Sequence, residues 1–152
     1  MMSELNFATL TRDADASEVL AMIRALYVED QPAFAVDHGR FPLTIEFLLA
    51  EPSRGSVIVF AEEATVCGYA ILIPYWSNEY GGTLLYVDEI FVLPDARNQG
   101  IGRQFFEFLA RTRPFDAVAI GIMPLTKRAF CNATPPLTPR IRLPSCLIPS
   151  VL

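Results

Sequence analysis

Histidine is almost missing from this chain. His38 is the single histidine among 152 residues, which excludes a multi-histidine metal centre and leaves a serine-histidine-aspartate triad resting on one loop residue. The three cysteines, Cys67, Cys131 and Cys146, are odd in number and show no C-x-x-C spacing, so neither a disulfide framework nor a zinc site is supported. No apolar run is long enough to span a bilayer. The N-terminal MMSELNFATLTRDADAS has acids where a secretory signal has a basic start and an apolar core. These absences predict a cytoplasmic protein without a membrane partner. A net charge of −5 with no basic stripe argues against a nucleic-acid partner and is compatible with a cationic amine. Hydrophobic residues make up 52% and charged residues 19%, as in an ordinary globular domain that can bury most of its core. There are no internal repeats.

What is present is organised around LLYVDEIFVLPDARNQGIGRQFFEFLAR, Leu84 to Arg111. The run from Leu84 to Leu93 is aliphatic, aromatic and β-branched, broken only by Asp88 and Glu89. It reads as a strand covered on both faces. Pro94 and Asp95 stop it. Ile101, Phe105, Phe108 and Leu109 then stand at i, i+4, i+7 and i+8, the apolar stripe of a helix that Pro114 ends. Between strand and helix lies Arg97-Asn98-Gln99-Gly100-Ile101-Gly102. The first turn of a helix presents unpartnered N–H groups and the positive end of its dipole, so it attracts phosphate-like anions. Gly100 and Gly102 remove side chains that would block close approach, and Arg97 and Arg103 add positive charge; a pyrophosphate fits there. A dinucleotide fingerprint would need a glycine where Phe105 stands, and a P-loop would need Gly-Lys-Ser/Thr, which is absent.

Arg97-x-x-Gly100-x-Gly102, after an apolar strand that ends in a proline turn, resembles motif A of the GNAT family of N-acetyltransferases. Asn78-Glu79-Tyr80-Gly81-Gly82 and Val87-Asp88-Glu89-Ile90-Phe91-Val92 also resemble the region between the third and fourth strands of small bacterial members. The likeness covers roughly residues 4 to 123. It implies that the helix start, Arg97, Asn98, Gln99, Gly100, Ile101, Gly102 and Arg103, binds the pyrophosphate of acetyl-CoA. It also implies that the strand backbone around Phe91 and Val92 pairs with the pantetheine arm. The co-substrate is then acetyl-CoA and the acceptor a primary amine of a small molecule or peptide.

Amide formation from a thioester needs a deprotonated amine, an acyl carbonyl within reach and a proton for the departing thiolate. Asp88 and Glu89 sit mid-strand, and adjacent strand residues point to opposite faces, so one of them should face the acceptor cleft. A carboxylate there binds an ammonium group and accepts its proton directly or through water, with a pKa raised by partial burial. Glu89 is the first candidate for base or water-holder and Asp88 the alternative. Either carboxylate could instead serve only to hydrogen-bond a loop or to cap the sheet edge.

In chain order, Asn6 to Thr11 reads as a short strand. Asp15 to Tyr27 reads as a helix with a capping-box-like Asp15 and Glu18. Residues 31 to 41 form a loop, and a second helix runs from Pro42 or Thr44 to about Ala50. By the resemblance, this helix pair covers one side of the acceptor pocket. Phe34, Phe41 and Phe47 either line that pocket or pack the pair onto the sheet. Ser56 to Ala61 and Val66 to Pro74 form a hairpin, Tyr75 to Gly82 a loop, and Ala117 to Ile122 a last strand. The order βαα-βββ-αβ predicts a mixed α/β domain with a mostly antiparallel central sheet flanked by helices.

The composition changes at Met123. Every one of the 17 acids lies at or before Asp116. Residues 124 to 152 hold Lys127, Arg128, Arg140 and Arg142, half of the twelve prolines and two of the three cysteines. The chain therefore divides into a GNAT-like acetyl-CoA-binding domain, 1–123, and an atypical proline-rich basic tail, 124–152. The resemblance calls for an asparagine-led turn, a helix with a tyrosine, a Gly-Phe pair and a final strand at this point. Pro135, Pro136 and Pro139 prevent that helix, and all five tyrosines, Tyr27, Tyr69, Tyr75, Tyr80 and Tyr86, lie upstream. The tail is either an altered C-terminus, such as the product of a shifted reading frame, or a natural interaction tail. Without the final helix and strands the cleft loses a wall and the sheet exposes an edge that invites a homodimer. Cofactor binding through Gly100 to Arg103 survives this loss more readily than catalysis does. The alternative function is accordingly a catalytically silent CoA-binding or protein-interaction module.

Overall fold

Two side-chain periods, two residues along strands and 3.6 along helices, build three layers. The computed structural model describes residues 4–11, 13–32, 34–78, 81–112 and 117–120. In chain order these form β1 (Leu5–Thr9), α1 (Asp13–Glu29), a 3-10 turn (His38–Arg40), α2 (Phe41–Ala50), β2 (Ser56–Glu62), β3 (Thr65–Ser77), β4 (Gly82–Val92), a second 3-10 turn (Pro94–Ala96), α3 (Ile101–Thr112) and β5 (Ala117–Ile120). The described strands make one sheet in the order β1-β2-β3-β4-β5. The first four are antiparallel to their neighbours, and β5 is parallel to β4. This is the mixed, mostly antiparallel sheet between helices that the sequence predicts.

Alternation along the strands supplies two cores. On one face, Ile58 and Phe60 of β2, Leu72 of β3 and Leu85 and Val87 of β4 meet Ile101, Phe105, Phe106 and Leu109 of α3. Phe105 lies 4.7 Å from Phe60 and 5.6 Å from Phe7, ring to ring. A ring buried in this way contributes roughly 1.5–3 kcal/mol by leaving water. On the other face, Val57, Tyr69, Ile71 and Phe91 meet Val19, Met22 and Ile23 of α1 and Phe41, Ile45 and Leu48 of α2. A β4 covered on both faces explains its near-continuous apolar run.

The element bounds depart from the sequence reading where tertiary pairing extends a segment. Tyr75, Trp76 and Ser77, read as loop, continue β3 because they pair with Leu84, Thr83 and Gly82. α1 starts two residues before Asp15 and ends two after Tyr27. α2 starts at Phe41, whose ring is buried, whereas Phe34 and Phe47 are exposed. Gly68 lets β3 approach β4 closely: a Cβ there would lie 2.5 Å from the carbonyl oxygen of Phe91. The boundary at Met123 and the tail beyond it lie outside the described residues, as do Glu79 and Tyr80.

Candidate functional site

β4 carries the site, and its pairing with β3 is irregular where the two carboxylates stand. Ile71 pairs with Glu89 and Leu72 with Val87, so Asp88 has no opposite residue and forms a β-bulge. A bulge shifts the phase of alternation. Leu85 and Val87 point to the α3 face before it, and Ile90 and Val92 do so after it. Glu89 shares its face with Phe91, toward α1 and α2. The expectation that Asp88 and Glu89 point to opposite faces is therefore corrected. Alternation from Val87, which faces α3, turns Asp88 to the α1 side, where Glu89 also stands, so the bulge brings both carboxylates to one face. A sequence signal for this existed: inward apolar residues at 85, 87, 90 and 92 change phase across the acidic pair.

Glu89 is held from two sides. The Tyr27 hydroxyl of α1 donates to Oε1 and the Tyr69 hydroxyl of β3 to Oε2, both at 2.9 Å. Burial raises the pKa of Glu89 and the Asp88 charge adds to this, while the two hydroxyl donors pull it back. Desolvation, followed by the Glu89 charge, pushes both phenols up, so each keeps its proton and stays a donor. Asp88 differs. Its side chain reaches solvent, yet the surrounding sheet withdraws enough water to raise its pKa. Among the described residues no donor bonds to it.

Around this pair the α1 face is aromatic. His38 stacks on Phe41 at 4.9 Å, and Phe41 lies 4.7 Å from Tyr27, so a row of rings leads from the 3-10 turn to Glu89. On the sheet side, Tyr86 is opposite Ile73 and meets Tyr75 edge to face at 6.3 Å. None of the four tyrosine roles was read from the sequence. Tyr27 lies 62 positions from Glu89, and its helical spacing marks it only as a core residue.

The β4–α3 connection has the geometry of an anion cradle. Asn98 and Gly100 take φ of 63° and 79°, left-handed values that turn the chain twice before α3. A Cβ on Gly100 would meet nothing within 4 Å, so the space above the turn is open. Gln104 N–H bonds the Gly100 carbonyl, the first helical bond, which leaves the Ile101, Gly102 and Arg103 N–H groups at the helix mouth. The Ile101 side chain is buried, so that residue offers only its backbone.

The charged neighbours have other partners too. Arg97 bonds both Glu29 oxygens at 2.9 Å through Nη2, donates from Nε to the Val92 carbonyl at 2.8 Å and lies 5.3 Å from the Phe91 ring. It ties α1 to the end of β4. Arg103 pairs with Glu107 at 3.2 Å on the helix surface, and Gln99 Nε2 donates to the Asp95 carbonyl. A cleft of about 670 Å³ lies beside Gln99, between the β2–β3 hairpin and the second 3-10 turn. Glu62, Glu63 and Asp95 line it, so its charge disfavours phosphate.

The described residues of β5 pair with β4 from Leu84 to Val87. Among the described residues no strand pairs with that edge from Asp88 to Val92. An anion cradle at the helix mouth thus follows within a few residues of a pair of carboxylates on β4.

This architecture is that of the acyl-CoA N-acyltransferases. A possible acetyltransferase from Clostridium difficile 630 superposes with a TM-score of 0.70 at 15% identity, over 85% of this chain and 88% of that one. An integron cassette protein from the mobile metagenome of Cole Harbour salt marsh gives 0.67 at 25% identity, over 94% and 91%. A predicted acetyltransferase from Clostridium acetobutylicum, solved with acetyl-CoA, gives 0.65 at 14% identity, over 90% and 92%. Residues 53–133 match the model of the GNAT acetyltransferase domain, more than half of the chain, and the chain belongs to that family. No curated protein matches its sequence significantly. No helix among the described residues is long and apolar enough to cross a membrane.

Proposed function

We propose that the protein transfers the acetyl group of acetyl-CoA to a primary amine of a small molecule or peptide. The observation that carries this reading is the bulge at Asp88, which sets two pKa-raised carboxylates on one stretch of β4, a few residues before an anion cradle. The Ile101, Gly102 and Arg103 N–H groups would hold the pyrophosphate, with open space over Gly100 to admit it, and the β4 backbone from Asp88 to Val92 would hold the pantetheine arm. Acetyl-CoA supplies the acyl group as a thioester. Asp88, whose oxygens are open, would meet the substrate ammonium and take one proton directly or through one water; the freed amine nitrogen bonds the acetyl carbon as the C–S bond breaks, and the proton that the nitrogen then sheds goes to the departing thiolate. Glu89, fixed by two phenols, holds the negative potential that draws the cation in. The raised pKa values move both groups toward that of a useful base.

Calorimetric titration with acetyl-CoA tests the cradle. The parent should bind, and Gly100→Glu, which puts a carboxylate into the open space, should not. Thiol release with a panel of amines tests turnover. Binding with no release from any amine would leave a CoA-binding module in place of an enzyme.

A further inference from the structure

Among the described residues, the acidic groups of β4, α1 and the 3-10 turn that follows α1 are not equivalent. Glu89 accepts from Tyr27 and Tyr69. Glu29 is paired with Arg97. Asp37 accepts from Gly39 N–H and lies 3.7 Å from Arg40. Asp30 is buried. Of these, Asp88 presents carboxylate oxygens with no described partner, and it stands two residues beyond Tyr86 on β4, to which Tyr75 is packed edge to face. Tyr75 is 43% exposed and so offers ring surface to a ligand.

We infer that the acceptor is a monoamine with a flat aromatic body, its single ammonium on Asp88 and its ring against Tyr75 and Tyr86. This deepens the acetyl-transfer reading and rests on it. One open carboxylate matches one positive charge. A polyamine would bring further ammonium groups to Glu29 and Asp37, whose charges Arg97 and Arg40 already meet, or to Glu89, whose two oxygens already accept from phenols, so each would have to displace a partner or give up hydration. A ring on the Tyr75–Tyr86 pair adds offset or edge-to-face contact, which short aliphatic amines lack.

The test is a set of calorimetric titrations, with CoA present so that no turnover intervenes. The probes are 2-phenylethylamine, n-butylamine and spermidine. 2-Phenylethylamine should bind about tenfold more tightly than n-butylamine, the ratio expected from aromatic contact, and more tightly than spermidine. Asp88→Asn should abolish binding of 2-phenylethylamine, and Tyr75→Ala should bring it to the level of n-butylamine. Tighter binding of spermidine, equal binding of the two monoamines or no binding of 2-phenylethylamine overturns the inference. Thiol release from acetyl-CoA separates the two levels. Release that favours spermidine sinks the amine class and keeps acetyl transfer; tight 2-phenylethylamine binding without release sinks acetyl transfer and keeps the amine class.

Discussion

Replacing Tyr69 by phenylalanine removes one oxygen from a side chain that is 0% exposed. The ring still packs near Phe91, 6.3 Å away, so the change leaves no cavity larger than that oxygen. What is lost is a 2.9 Å hydrogen bond to the Glu89 carboxylate. A bond to an ionised group contributes about 1.5–3 kcal/mol. Since 1 kcal/mol moves the midpoint of a chain of this size by about 2–4 °C, Tm should fall by roughly 3–12 °C. In a Glu89→Gln background the acceptor is neutral, and the same replacement should cost only about 0.5–1.5 kcal/mol. Urea denaturation of the parent, both single variants and the double variant closes the cycle, with an expected coupling of about 1 kcal/mol. A Tyr69→Phe protein as stable as the parent, or one that loses the same amount in both backgrounds, would refute the reasoning.

The sign of the pH dependence follows from burial. Glu89 has its pKa raised above the ordinary 4.5, so its protonated form favours the folded state. That contribution is full below the ordinary value and is lost as pH rises through the raised one. Glu89→Gln should therefore gain stability relative to the parent as pH rises, read from denaturation midpoints at several pH values. Arg97→Gln should lower stability by no more than about 1 kcal/mol, and less in high salt, because the Arg97 and Glu29 side chains are 38% and 44% exposed. Its guanidinium is committed to Glu29 and Val92, so calorimetry should show acetyl-CoA affinity falling less than tenfold, in contrast to Gly100→Glu.

Local chemistry made much of the molecule legible in the sequence. The α3 stripe at 101, 105 and 109, the proline stop after β4 and the glycine turn each follow from one or two residues, and the structure puts all three in place. Phe106 escaped the helical template because it widens the buried face beyond one stripe. Tyr75 to Ser77 escaped because their strand character comes from pairing with β4 rather than from any period of their own. The Tyr27–Glu89–Tyr69 group joins α1, β4 and β3, and no spacing rule links residues that meet only after three elements have packed. Arg97 was read as charge for an anion, a role its residue type permits; that Glu29 would reach it depends on where α1 ends.

Asp88 ties the two halves of the proposed chemistry to one backbone irregularity. A bulge bends its strand and strengthens the local twist, and here it sets both carboxylates on one face. Deleting Asp88 removes the bulge and little else, because the remaining residues keep their faces: Val87 and Ile90 stay toward α3, and Glu89 and Phe91 stay toward α1. The core pattern survives, so the deletion variant should fold, within about 3 kcal/mol of the parent as expected for single-site changes. It should nevertheless lose binding of 2-phenylethylamine, since it lacks the carboxylate proposed to hold the ammonium. Hydrogen exchange would show the Val87 and Glu89 amides gaining protection as the β3–β4 ladder becomes regular. A folded deletion variant that binds 2-phenylethylamine as the parent does would mean that Asp88 does not hold the ammonium.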